Sequence, residues 1–112
     1  MSDGRKNQGI DVYLSRRFEK ALDKLPALQQ KCVEDEIDKI IDDPTIGEQK
    51  KGDLRFLWVH KFKLNKQLVL MGYSWLDDKL ELYLLSIGSH ENFYSDQKKH
   101  LKTDLTLMSE TK

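Results

Sequence analysis

The hydrophobic period of the chain changes once, near residue 53, and that change limits the folds open to it. Upstream, Leu14, Phe18, Ala21, Leu22 and Leu25 recur at the spacing of one helical stripe. Ser15 stands where an N-cap is wanted, with Glu19 in the first turn beyond it. Pro26 breaks that helix and suits the first turn of a second, "ALQQKCVEDEIDKIIDD", which carries Leu28, Cys32, Val33, Ile37, Ile40 and Ile41 on one side. The second helix is expected to stop before Pro44, because the residue preceding a proline is pushed out of helical geometry. After the polar loop "PTIGEQKKGD" the period becomes two. "LRFLWVHKFKL" reads as a half-buried strand, "QLVLMGYSWL" as one covered on both faces, and "KLELYLLSI" as a third. The turns "LNKQ" and "LDDK" are too short for anything but antiparallel hairpins.

With a short strand at "GIDVYLS" and a polar, helix-like segment after Gly88, the order is β-α-α-β-β-β-α. That is an α+β fold: a small antiparallel sheet with an N-terminal αα-hairpin on one face and the other face left open. Phe93, Leu101 and Leu105 are the expected docking points of the last helix. At 112 residues the chain is expected to form a single domain, residues 1–112, with residues 1–9 and 104–112 as tails.

Charge narrows the classes of function. Lys plus Arg number 19 and Asp plus Glu 19, so no net field draws in nucleic acid. The charges are nevertheless sorted. Glu34, Asp35, Glu36, Asp38, Asp42 and Asp43 cluster on the second helix, where a solvated face explains them. Lys50, Lys51, Arg55, Lys61, Lys63 and Lys66 cluster on and ahead of the first long strand. No apolar run approaches the about 20 residues that span a bilayer, and "MSDGRKNQG" has no signal-peptide core, so no membrane role and a cytoplasmic location are expected. The single cysteine, Cys32, sits at an apolar helical position and is expected in the core. The histidines are isolated and Cys32 has no partner, so neither a metal nor another cofactor is expected. Phosphate-loop and nucleophile-elbow patterns are absent.

Strand parity locates candidate chemistry. Side chains alternate faces, so Trp58, His60, Phe62 and Leu64 share the helix-facing side, and Lys61 and Lys63 project together from the other. Two adjacent ammonium groups repel unless an anion lies between them, although lysines on an edge strand also serve simply to block aggregation. His60 reads as a core-face residue and His100 as a surface one. His90 differs, because it follows the last strand across Gly88, where a loop residue can overhang the sheet. An imidazole can give and take a proton near neutrality. Tyr94, four residues on, offers a flat face for a nucleobase. Lysines, a histidine and an aromatic around one face suit RNA cleavage through the ribose 2′-hydroxyl.

The residues "RFEKALDKLP", "KKGDLRFLWVHKFKLNKQLVLMGY" and above all "LLSIGSHENFYSDQKK" resemble the RelE/ParE superfamily of bacterial toxin–antitoxin toxins, over about residues 10–102. The glycine–small–histidine step Gly88-Ser89-His90 is similar to the end of its RelE- and YafQ-type ribonuclease branch. The resemblance implies an mRNA endonuclease that works in the ribosomal A site without a metal. It further implies a cognate antitoxin, encoded by the adjacent gene, that silences the toxin. Under it Lys61 and Lys63 correspond to paired basic positions, His90 to a catalytic histidine or arginine, and Tyr94 to the nucleotide-orienting aromatic. Lys50, Lys51, Arg55 and Lys66 become RNA- and phosphate-binding candidates. The branch carries an arginine entering the third strand, where this chain offers only Lys66 and Gln67, and its members are usually basic. Two alternatives therefore stand beside it: a ParE-like inhibitor of DNA gyrase, and an inert corepressor acting with the antitoxin.

Overall fold

The computed structural model describes residues 9–110. Strand β1 (Asp11–Leu14) leads into helices α1 (Arg16–Asp23) and α2 (Ala27–Asp42), followed by a two-residue strand β2 (Glu48–Gln49) and a 3-10 turn at Gly52–Leu54. Strands β3 (Trp58–Leu64), β4 (Gln67–Leu76) and β5 (Glu81–Ser89) come next, then helices α3 (Phe93–Lys99) and α4 (Leu101–Glu110). The sheet order is β1-β5-β4-β3-β2. Pairs β2/β3, β3/β4 and β4/β5 are antiparallel, as the short turns require, but β1 lies parallel to β5. The α+β class holds, and this one pair makes the sheet mixed. Its cause is the crossover: the chain must pass through the helical hairpin and three further strands before β5 returns beside β1.

Local signals set the helix ends as expected. Ser15 Oγ accepts the Phe18 N–H at 3.0 Å and donates to Leu85 O at 2.6 Å, capping α1 and tying it to β5. Pro26 precedes α2, which ends at Asp42. Phe18, Val33, Ile40, Phe62, Leu64, Met71, Tyr73, Leu82 and Leu84 form the core between hairpin and sheet. Two stripe residues do not join it. Leu28 is 83% exposed, and Cys32 is exposed rather than in the core. Val33, Ile37 and Ile40 define the face that α2 turns to the sheet. At about 100° per residue, Cys32 lies about 100° and Leu28 about 140° away from Val33.

The second face of the sheet is not left open. Leu54, Leu57, Val59, Leu70, Tyr83, Leu85 and Phe93 make a separate core there, with Tyr13, Phe56, Leu101, Leu107 and Met108 packed against it. The tail expected from residue 104 is corrected accordingly: α4 continues to Glu110, and Asp104 is fully buried. Of the expected tail over residues 1–9, all but Gly9 lies outside the described residues. Phe93 and Leu101 dock as expected, whereas Leu105 stays 45% exposed.

A buried polar network fastens this C-terminal cover. Arg17 donates to both carboxylate oxygens of Asp104, at 2.9 and 3.2 Å, and to Gln97 Oε1 at 3.3 Å. Gln97 donates to Asp104 at 3.1 Å and accepts from the Ser86 hydroxyl. Helix α1, strand β5 and both C-terminal helices thus meet in one polar network, in which Arg17 Nε alone, buried and 3.4 Å from Asp96, makes no hydrogen bond among the described residues.

Candidate functional site

Parity along β3 is realised. Trp58, Phe62 and Leu64 pack with the helical hairpin, while Lys61 and Lys63 stand exposed on the opposite face. His60 belongs to the hairpin side, where its Nε2 lies 2.7 Å from Glu36 Oε1. Burial raises the Glu36 pKa, but the hydrogen bonds from His60 and Lys39 outweigh it and leave the carboxyl below its ordinary value. That environment makes His60 a structural hydrogen-bond partner of α2.

Register places the rest around the two lysines. Lys61 is opposite Leu70, which is opposite Gly88, so Gly88 lies two strands across from Lys61, about 10 Å away. A Cβ at Gly88 would meet nothing within 4 Å, so the space above it is open. Two residues further on, His90 is exposed in the turn before α3. Helix α3 begins at Phe93 with Asn92 as its N-cap, so His90 does not cap it. Lys66 lies at the same end of the sheet, in the two-residue turn after β3, and Asn65 and Lys66 there take φ of 53° and 69°.

Tyr94 is held at the other end. Its ring stands edge-on to Phe93, with centroids 5.1 Å apart, and the Lys50 ammonium lies 5.2 Å from its centroid. The Lys50 pKa is raised, first by the neighbouring Tyr94 hydroxyl and further by Glu48, whose carboxylate is 3.3 Å away; burial opposes the shift. Lys50 therefore stays cationic throughout the physiological range. Lys51 and Arg55 are exposed on the loop that flanks this pair, and the Arg55 carbonyl accepts from Gln49 Nε2 at 2.9 Å. The structure thus brings Lys50 and Tyr94 into contact at one end, sets Lys61 and Lys63 along β3, and places Lys66 and, across the sheet, Gly88 and His90 toward the other end.

Three supports of this arrangement escaped the reading of the sequence. Glu48, which partly neutralises Lys50, pairs with Val59 and so is carried on the same face of the sheet. Tyr73 fixes the loop that delivers both: its hydroxyl donates to Pro44 O at 2.6 Å and accepts the Gly47 N–H at 3.0 Å. Burial pushes the Tyr73 pKa up to about 12. Gly72 is the third. A Cβ there would lie 2.8 Å from the Phe93 ring, 2.9 Å from Ser86 Oγ and 3.1 Å from Leu57. An isolated glycine in a strand pattern signals such a close approach, and "LMGY" contained it. Gly72→Ala should therefore force Phe93 outward, with Tyr94 following, and cost about 1–3 kcal/mol. A urea midpoint unchanged from wild type would show that α3 does not press on β4 there.

Among the described residues, no group of three or more His, Cys, Asp or Glu side chains could hold a metal, and no helix is long and apolar enough to cross a membrane.

The architecture is a RelE-like fold. Escherichia coli RelE in the free state (a double mutant) superposes with a TM-score of 0.63 at 20% identity, covering 81% of this chain and 96% of that one. The toxin in the intact E. coli RelBE complex gives 0.58 at 19% identity, covering 71% and 95%. The archaeal RelE–RelB complex of Pyrococcus horikoshii gives 0.53 at 18%, covering 71% and 93%. No curated protein matches the chain in sequence. Residues 12–98 match the model of the ParE-like toxins of type II bacterial toxin–antitoxin systems, and the chain belongs to that family.

Proposed function

We propose that the chain cuts messenger RNA on the ribosome and is silenced by a cognate antitoxin protein encoded beside it. The observation that carries this reading is the shared face: Lys61 and Lys63 exposed side by side, with open space over Gly88 leading to His90. The Lys50–Tyr94 pair borders the same side. In the reaction the ribose 2′-oxygen attacks phosphorus, the bond to the 5′-oxygen breaks, and a 2′,3′-cyclic phosphate and a 5′-hydroxyl result. One proton leaves the 2′-hydroxyl and one reaches the departing oxygen, and His90 moves one of the two. Lys61 and Lys63 stabilise the charge on the pentacoordinate phosphorus. Tyr94 orients a nucleotide, Lys50 with Lys51 and Arg55 around it holds phosphates on that side, and Lys66 holds one at the His90 end. The antitoxin follows from the family and from the RelE chains that are found with RelB. A ribosomal site of action places the chain in the cytoplasm.

Lys61→Ala combined with Lys63→Ala should abolish growth inhibition on induced expression. Loss of one aimed cation costs about 3 kcal/mol of transition-state stabilisation. Both side chains are exposed, so the thermal midpoint should stay that of wild type. A second reading, inhibition of DNA gyrase, is favoured by the ParE-like description of the family and by the neutral charge of the chain. A soluble double variant that remained toxic and blocked gyrase supercoiling in vitro would replace the first reading with the second.

A further inference from the structure

The Lys50–Tyr94 pair has a third member. Glu48 and Lys50 stand two residues apart on extended chain, Glu48 in β2 and Lys50 just after it, so their side chains share a face. Tyr94 packs against the core on that same face of the sheet, beside Leu57 and Val59. Lys50 is held in place: its side chain is only 23% exposed, with the ammonium 5.2 Å from the Tyr94 centroid and 3.3 Å from Glu48 Oε1. An ammonium has three donors, of which Glu48 and the Tyr94 hydroxyl take two. Glu48 is freer. Its side chain is 67% exposed and, among the described residues, Oε2 has no hydrogen-bond partner. An aromatic ring is thus flanked by a cation with one donor to spare and a carboxylate with an acceptor to spare.

Stacking alone is blind to sequence, because every base has a π-face. Selection needs hydrogen-bonding groups at the base edge, and this cluster offers a donor beside an acceptor. Guanine presents the complement: O6 accepts, and N1–H and N2–H2 donate. Adenine and cytosine carry an amino group in place of O6, which aims a donor at the ammonium. Uracil has O4 and N3–H but nothing equivalent to N2–H2, so it keeps part of the fit. We propose that Glu48, Lys50 and Tyr94 form a guanine-reading subsite: the base stacks on Tyr94, O6 accepts from Lys50, and N1–H and N2–H2 donate to the Glu48 carboxylate. The inference rests on the reading that the chain cuts RNA, and it names the base selected beside the cut. It assigns Lys50 to the base edge and leaves the flanking phosphates to Lys51 and Arg55. The spacing suits one nucleotide. Glu48 pairs with Val59, and Lys61 follows Val59 by two residues, about 7 Å along β3.

The test uses RNA that cannot be cut, so its failure is separable from failure of the cleavage reading. Trinucleotides with 2′-O-methyl riboses, cytosine at both ends and each of the four bases or hypoxanthine in the middle, are titrated into the full chain. Binding is followed by NMR at the Tyr94 ring. Middle guanine should bind at least about tenfold tighter than adenine or cytosine, with uracil between them. Hypoxanthine, which lacks only the N2 amino group, should bind more weakly than guanine. Glu48→Gln, at an exposed position, should bring the four bases to within about threefold of one another. If Glu48 serves only to neutralise Lys50, that change shifts every trinucleotide equally, which would overturn the proposal. Equal binding of the four bases by wild type, or an unperturbed Tyr94 ring, would overturn it too. Guanine selection by a chain that leaves messages intact would uphold the subsite and reject the cleavage reading alone.

Discussion

Asp104→Ala should lose about 3 kcal/mol of folding free energy, a large share of the 5–15 kcal/mol that holds a domain together. Asp104 is fully buried and is the point where α1, α3 and α4 meet. Truncating it removes two bonds from Arg17 and one from Gln97, and leaves a guanidinium only 18% exposed. The loss falls at the low end for a broken buried pair because Arg17 keeps Asp96, 3.4 Å from its Nε, and some contact with water. Replacing both partners by apolar residues, Arg17→Met with Asp104→Leu, should recover most of the loss, since the larger part of the penalty is the uncompensated charge. Urea denaturation measures both. A single variant within 0.5 kcal/mol of wild type, an order-of-magnitude bound for surface changes, would mean that the network does not fasten the C-terminal cover.

His90→Ala carries the second large effect. As a general acid or base, His90 contributes about two to four orders of magnitude to cleavage. The structure separates this from a stability effect. His90 is exposed, stands ahead of the Asn92 N-cap, and closes no helix. Its removal should leave the melting temperature unchanged, whereas a lost cap would cost about 1 kcal/mol. Ribosome binding should persist, because the lysines remain. Tyr94→Ala should also impair cleavage, and Tyr94→Phe should be milder if the ring stacks on a base.

What the sequence revealed depended on how local each signal was. Period changes, Ser15, Pro26 and the two short turns act within a few residues, and they set α1, α2 and the β3–β4–β5 meander correctly. Parity along β3 is equally local and put Lys61 and Lys63 on the right face. The parallel β1–β5 pair joins residues about seventy apart, through Asp11↔Glu81 to Leu14↔Leu84, and nothing near either strand announces it. The covered second face was half legible. "LVLM" and "LYLL" are apolar at both parities, which asks for burial on both sides, yet the segment meant to supply the cover looked polar. Its docking relies on Phe93 together with Gln97 and Asp104, and polar residues in a core are recognisable only once Arg17 and Ser86 are known to face them. Lys50 and Tyr94 were both candidates, but their contact is made by a loop that Tyr73 anchors from the opposite face.

Primer extension on a defined message, in a purified translation system programmed with that message, is the most direct test of the central claim. With wild-type chain we expect new 5′ ends within the codon in the ribosomal A site, and no new ends when ribosomes are omitted. The His90→Ala chain at equal occupancy should give the same ends at least about a hundredfold more slowly. Intact message with wild-type chain on ribosomes, or undiminished cleavage with His90→Ala, would contradict the account.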